Sequence, residues 1–383
     1  MFDYVFKRKK TWATVFFLDL IGSLLFFFRS REVPKEVRRI LVIRLDHIGD
    51  LVMSAPFFSA LRACYPAAEI HLLADSRSAA LFEHDPRLDH VIPLDGHWFS
   101  RNGRVQWFQM FRCAMGLRRV GYDLGFDLRG DFRTIFFFLF LAGVKYKASY
   151  GVRGGGFMLS ASPLYPYRTH EVDRNVNLLA FFMNREIKAE LPKIESDPDI
   201  RKMMETRLET QGRDKSRKLI LCHLGAGYPS KQWRIDRYLK VIESLLDRGG
   251  IQIALIGKEN EVDLPAEFLD RHDVLNFIGK TSLKELVALT GLADYFLGND
   301  SGPAHIAGAC GVPLLVVFSG TNRVEEWAPR ARISRIIHRD LECSPCEAKI
   351  CPLKHHNCME LIPEDEVLEG FLKLERQAHE NRV

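Results

Sequence analysis

The sequence has no low-complexity tract and no excess of the residues that break regular structure, with 27 Gly and 17 Pro among 383 residues. Those absences exclude a disordered or fibrous chain. Net charge is also scarce. The formal balance is +5, and residues 1 to 39 hold nine Lys/Arg against four Asp/Glu, which leaves 45 of each sign on the rest of the chain. A neutral body lacks the basic surface that neutralises phosphates, so no nucleic-acid partner is expected. An uninterrupted membrane span is missing as well. The apolar stretch from Thr11 to Phe28 carries a carboxylate, Asp19, at its centre, which is costly inside a bilayer. No A-x-A-like cleavage site follows Phe28, which disfavours a signal peptide. With Lys7 to Lys10 on one side and Arg29 and Arg31 on the other, residues 1–34 read as an interfacial helix on an anionic membrane surface at the cytoplasmic face. A helix packed on the protein's own surface is the alternative.

What is present is apolar content of 47% in a chain too long for one ordinary core, which suits two α/β domains. RRILVIRL (Arg38 to Leu45) is a continuous, β-branched run of the kind found in strands buried on both faces of a parallel sheet. EIHLLAD, HVIPLD and DLGFDLRG follow as further strands, with a helical pattern over Val105 to Arg119 between them. A second series runs through KLILCHLGAG, IQIALIGK, VLNFIG, DYFLGND and PLLVVFSG. The alternation predicts two doubly wound, Rossmann-like domains facing across a cleft. The expected boundaries are 35–175 for the first domain, 176–217 for an interdomain region, 218–340 for the second domain and 341–383 for a Cys-rich segment with a terminal helix. Ser282 with Glu285 marks a capped helix start, and Pro303 suits a first helical turn.

Three strand-end loops carry candidate chemistry. In LDHIGD, Asp50 stands where a sheet presents residues to ligand, either as a base accepting a proton from an attacking hydroxyl or as a plain helix cap. In HLGAGYPSKQW, Gly225 and Gly227 allow close backbone approach and Lys231 can neutralise a donor phosphate. The third glycine of G-x-G-x-x-G is missing there, which disfavours a nicotinamide enzyme. In GNDSGPAHIAGACGVP, the backbone N–H groups of Ser301 and Gly302 at a helix N-terminus form an anion site for a diphosphate. Asp300 would repel that phosphate, so a sugar hydroxyl is its expected partner. His305 reads equally as a packed histidine or a ligand contact.

The set ILVIRLDHIGD, HLGAGYPSKQW, IGKTSLKEL and GNDSGPAHIAGACGVP, in that order, resembles glycosyltransferase family 9, the lipopolysaccharide heptosyltransferases, over roughly Arg38 to Phe318. The resemblance implies a GT-B fold and an inverting transfer from ADP-heptose to a lipid-linked saccharide acceptor of the lipopolysaccharide core, with no cofactor required for catalysis. The acceptor would belong to the N-terminal domain and the donor to the C-terminal one. It places the base on Asp50, the phosphate lysine on Lys231, the phosphate loop on Asp300, Ser301 and Gly302, and a ribose-contacting acid on Glu261. Another nucleotide-sugar donor on the same fold, or a non-catalytic nucleotide-sugar-binding protein, are the competing readings. The presence of Asp50 together with Lys231 and Asp300 favours catalysis.

The tail carries Cys343, Cys346, Cys351 and Cys358, with His355 and His356 among them. Four close thiols in a reducing cytoplasm suggest a structural zinc site; the alternative is buried or redox-labile thiols, because the second pair lacks C-x2-C spacing.

Overall fold

The computed structural model describes residues 19–22, 34–95 and 107–381. The chain divides into two compact units, Met1–Glu190 and Leu191–Val383.

The first unit is built on β1 (Arg39–Arg44), β2 (Glu69–Asp75), β3 (His90–Leu94), β4 (Leu124–Asp127) and β5 (Tyr146–Ser149), all parallel, in the order β3-β2-β1-β4-β5. Ile40, Leu41, Val42 and Ile43 are wholly buried, as a central strand covered on both faces requires. The principal helices are α1 (Ile48–Val52), α2 (Ala55–Cys64), α3 (Trp107–Val120) and α4 (Glu171–Met183). Leu41 and Ile43 meet α3 and a π-helix over Ile135–Leu141 in one apolar cluster. On α2, Phe57 packs edge-on against Phe126 of β4 at 5.2 Å. Burying one such side chain stabilises by roughly 1.5–3 kcal/mol, so these contacts fix the ends of β1 and β4 relative to the helices.

Most of the expected interfacial helix, residues 1–18 and 23–33, lies outside the described residues. The described turn Asp19–Gly22 packs on its own unit. Asp19 is buried and accepts the N–H of Gly155 at 2.9 Å. Among the described residues no helix is long and apolar enough to cross a membrane.

The second unit has β6 (Lys218–His223), β7 (Ile251–Ile256), β8 (Val274–Asn276), β9 (Tyr295–Asn299), β10 (Leu314–Val317) and β11 (Ser334–Ile337), parallel throughout, in the order β11-β10-β9-β6-β7-β8. Its helices include α5 (Pro198–Thr210), α6 (Ile235–Asp247), α7 (Leu283–Thr290), α8 (Gly302–Ala309) and α9 (Glu364–Glu380). Residues of α6 and α9 share one core with Trp233. Those of α5, α7 and α8 build the other. The start of α7 is capped reciprocally: Ser282 N–H donates to the Glu285 carboxylate at 2.6 Å and Glu285 N–H to the Ser282 hydroxyl at 3.3 Å. The segment 176–217, expected between the domains, contains the end of α4 and all of α5.

Both sheets share one topological rule. Each has its first strand at the centre, with the chain winding outward to one side and then returning to the other. The crevice beside the carboxyl ends of β1 and β4, and that beside β6 and β9, are therefore the switch points where such sheets bind ligands.

Candidate active site

In the first unit Asp50 sits at the start of α1, immediately after the β1 switch-point loop. One of its oxygens accepts the backbone N–H of His47 at 3.0 Å, and the other lies 3.6 Å from the Arg44 guanidinium. The side chain is 15% exposed. One oxygen is thus spent on the cap while the other faces Arg44, so the two readings of Asp50 do not exclude each other.

Arg44 organises this end of the sheet. It is buried, bonds Glu171 at 2.8 Å and the Leu128 carbonyl at 2.7 Å, and lies 3.1 Å from Asp46. Burial pushes its guanidinium down, but Glu171 and Asp50 together outweigh that and hold it above its ordinary value. Glu171 in turn holds Arg174 at 2.5 Å, and Asp46 contacts Arg129. At the end of β4, Asp127 accepts N–H groups of Arg129 and Gly130 and the Thr134 hydroxyl. Desolvation nevertheless raises its carboxyl to about 7. Removing one partner from a buried pair of this kind costs about 3–5 kcal/mol, so the network is a rigid floor beneath Asp50.

In the second unit, the loops after β6 and β9 meet. His223, the last residue of β6, bonds the Ser301 hydroxyl at 2.9 Å through Nδ1 and faces Glu261 at 3.4 Å through Nε2. Glu261 also accepts the Lys258 N–H at 2.9 Å. Burial pushes the Glu261 carboxyl up, while His223 and the Lys258 N–H bring it below its usual value. A β-carbon on Gly225 would stand 2.4 Å from the Glu261 carboxyl carbon, so the group that needs glycine there is this acid. Gly227 is exposed on the same loop.

Lys231 closes the short turn Pro229–Lys231, and its ammonium lies 2.5 Å from the buried Asp300 carboxylate. Asn299 fixes that meeting. Its side-chain oxygen accepts from Trp233 N–H and the Tyr238 hydroxyl, each at 3.0 Å, while its amide donates to the carbonyls of Leu224 and Gly225 at 2.9 and 3.1 Å. Every polar capacity of this buried amide is used, which ties the glycine loop, the lysine turn and β9 together. Trp233 anchors the turn from below, fully buried against Tyr238 at 4.6 Å with its indole N–H on the Ile362 carbonyl.

Ser301 precedes α8 in an extended conformation and its hydroxyl is spent on His223 and the Asn299 carbonyl rather than on capping. The backbone N–H groups of Ser301 and Gly302 have no partner among the described residues, and Pro303 has none to offer. That leaves two N–H donors at the helix N-terminus, a chemistry suited to an anion. His305 is buried inside α8.

The cysteine segment lies against this turn. Ser230 N–H and hydroxyl donate to the Lys349 and Ala348 carbonyls, at 3.2 and 2.5 Å, and His356 Nε2 is 3.0 Å from the Ser230 carbonyl. Cys343, Cys346, Cys351 and Cys358, with His355 and His356, line one cavity of about 20 Å³. Backbone N–H groups of His356, Leu353 and Lys354 outweigh burial and draw the Cys351 thiol below its ordinary value, while burial pushes Cys358 up.

The expected site residues thus fall into three sets: Asp50 in the first unit; Lys231, Gly225, Gly227, Glu261, Asp300, Ser301 and Gly302 around one sheet end in the second, with His305 buried in α8; and Cys343, Cys346, Cys351 and Cys358 along the cavity beside the lysine turn. Arg44, Asp46, Asp127, Arg129, Glu171, His223 and Asn299 escaped sequence reasoning. The signal available for all but Glu171 was position, since RLD and DLRGD begin on the last residues of β1 and β4, and His223 and Asn299 end β6 and β9.

Residues 110–357 match the family model described as glycosyltransferase family 9 (heptosyltransferase). The chain is 25% identical over 335 residues to lipooligosaccharide heptosyltransferase 2 of Campylobacter jejuni, covering 85% of this chain and 96% of that one. Lipopolysaccharide heptosyltransferase 3 of Escherichia coli is 26% identical over 289 residues, covering 73% and 82%. Among solved structures, the E. coli ADP-heptose lipopolysaccharide heptosyltransferase II superposes with a TM-score of 0.71 at 22% identity, over 89% of this chain and 99% of that one. The family 9 glycosyltransferase from Veillonella parvula gives 0.76 at 19% identity, over 90% and 99%.

Proposed function

The chain belongs to glycosyltransferase family 9, the heptosyltransferases, and from that premise we propose that it transfers a heptose from ADP-heptose to a sugar hydroxyl of a lipid-linked lipopolysaccharide-core acceptor, with inversion at the anomeric carbon. In this scheme Asp50 takes the proton of the acceptor hydroxyl as its oxygen bonds to the anomeric carbon. The bond from that carbon to the diphosphate breaks on the opposite face, and ADP leaves. Lys231 and the Ser301 and Gly302 N–H groups receive the charge that develops on the diphosphate, while Glu261 serves the ribose and Asp300 the sugar. The observation that carries the proposal is the meeting of Lys231, Asp300 and the uncapped start of α8 at one switch point. Fixed donors placed where charge develops act without reorganisation, which makes them effective catalysts.

Under the same proposal the enzyme works in the cytoplasm, peripheral on the inner membrane face. Its lipid-linked acceptor and the basic flanks Lys7 to Lys10 and Arg29 to Arg31 support that placement. The cysteine segment would hold a structural zinc through Cys343, Cys346, Cys351 and Cys358. The four thiols line one small cavity, where they would have to draw together to ligate an ion, since among the described residues no three of them lie within 4.8 Å of one another. Bound there, the metal would crosslink the segment that supports the lysine turn.

A donor screen tests the main proposal. The purified protein is offered ADP-, UDP- and GDP-sugars with a lipid-core acceptor extract, and nucleotide release is followed. ADP release with ADP-heptose is expected; release of UDP or GDP alone would overturn the donor assignment.

A further inference from the structure

At the opposite end of the first sheet from Asp50, three potential metal ligands converge. Glu69 opens β2, His90 opens β3, and the parallel register sets His71 directly beside His90. Residues 69 and 71 lie on the same face of β2 by the two-residue period of a strand. The side chains meet accordingly: Glu69 Oε1 is 2.9 Å from His71 Nε2 and 3.3 Å from His90 Nε2, and the three ligand atoms all lie within 4.8 Å of one another.

From this geometry we propose that Glu69, His71 and His90 form a binding site for a divalent transition-metal ion such as Zn2+, separate from the transferase site and from the cysteine segment. Ligands at the usual zinc distances, arranged tetrahedrally, stand roughly 3.3 Å apart, so the three atoms need little movement to receive an ion. Each ligand is already oriented by a second partner. The other Glu69 oxygen is held by Arg39 at 3.0 Å, which leaves Oε1 for the metal. His71 Nδ1 lies 2.7 Å from the Tyr122 hydroxyl. Without an ion, His71 Nε2–H donates to Glu69; a metal at Nε2 would displace that proton, and the neutral ring would then carry its proton on Nδ1, toward the phenol oxygen. The buried His71 supplies rigidity, and His90, 61% exposed in its side chain, leaves open positions and a path of entry. The chemistry is that of a nitrogen-rich site with one carboxylate, which favours zinc, nickel or copper over magnesium or calcium. Because β3 is the edge strand, an ion here fastens it to β2.

Cobalt distinguishes this site from the cysteines. The full-length reduced protein is titrated with Co2+ and followed by absorbance, since thiolate ligation gives an intense sulfur-to-cobalt charge-transfer band and a histidine–carboxylate site gives weak ligand-field bands alone. The expected result is one Co2+ equivalent without the sulfur band. His90→Gln, at an exposed position, and Glu69→Gln should each weaken that equivalent at least tenfold, leave any sulfur band unchanged, and abolish the rise in melting temperature that Zn2+ gives the native chain. Retention of the same equivalent in both variants, or its absence from the native chain, would overturn the proposal.

Discussion

Lys231 Nζ lies 2.5 Å from Asp300 Oδ2, so the cation expected at the donor diphosphate and the carboxylate expected at its sugar are held as one largely buried ion pair. The two substitutions therefore differ in effect. Lys231→Ala removes the proposed phosphate partner and strands a buried carboxylate, and should weaken ADP and ADP-heptose alike by about 1.5–3 kcal/mol, the range for a hydrogen bond to a charged group. Asp300→Ala frees the lysine for phosphate. ADP should then bind as well as before or better, while the advantage of ADP-heptose over ADP shrinks. Calorimetry with both ligands on both variants separates the outcomes, and equal losses in Asp300→Ala would show that the acid only holds the loop.

Asp50→Asn addresses the divided carboxylate. The amide oxygen can still accept the His47 N–H, so helix α1 keeps its cap, but the side chain no longer takes a proton. Turnover should fall at least about a hundredfold, the usual contribution of a positioned base, with melting temperature and donor affinity near native values. Native turnover in this variant would leave Asp50 as a cap alone.

The strands were legible because their signal is local. RILVIR, IQIALI and LLVV are predominantly apolar and rich in branched residues, and each became a buried parallel strand. SRII of β11 was not, since it is short and partly exposed at the sheet edge. The π-helix over IFFFLFL also escaped, because an apolar run of seven carries no helical or strand periodicity. For the site, the residues visible in advance were those on loops with a recognisable spacing. The supporting groups were hidden by distance along the chain: Arg44 reaches Glu171 across 127 positions, and Asn299 reaches Leu224 across 75. Such pairs exist only once the sheet order is known.

Asp127 gives the first unit a pH signature. Its carboxyl titrates at about 7 in the fold against roughly 3.9 in the unfolded chain, so between those values the native state binds the extra proton. Stability supplied by this group is therefore present in acid and lost as pH rises from about 4 through 7. Urea midpoints measured across that window should contain a falling component that Asp127→Asn flattens. An unchanged slope in the variant would show that Asp127 is ionised in the native protein throughout.

The cysteine segment yields the final prediction, and it joins metal content to donor binding. Protein purified reduced and without chelator should contain about one zinc per chain bound through thiolates, as the proposed four-cysteine site requires. Cys351→Ser should release it, since one of the four proposed thiolate ligands is lost. The same change should be felt at a residue that touches no sulfur. Ser230 precedes Lys231 and rests through its N–H and hydroxyl on the carbonyls of Lys349 and Ala348, between Cys346 and Cys351. Loosening that loop removes the support that positions the ammonium, so ADP affinity should fall in Cys351→Ser although the lysine is intact. Elemental analysis and calorimetry on the same preparations decide the matter. Zinc-free native protein with an undiminished melting temperature would remove the metal from the account, and zinc loss with unaltered ADP binding would show that the segment's backbone contacts hold the lysine turn without it.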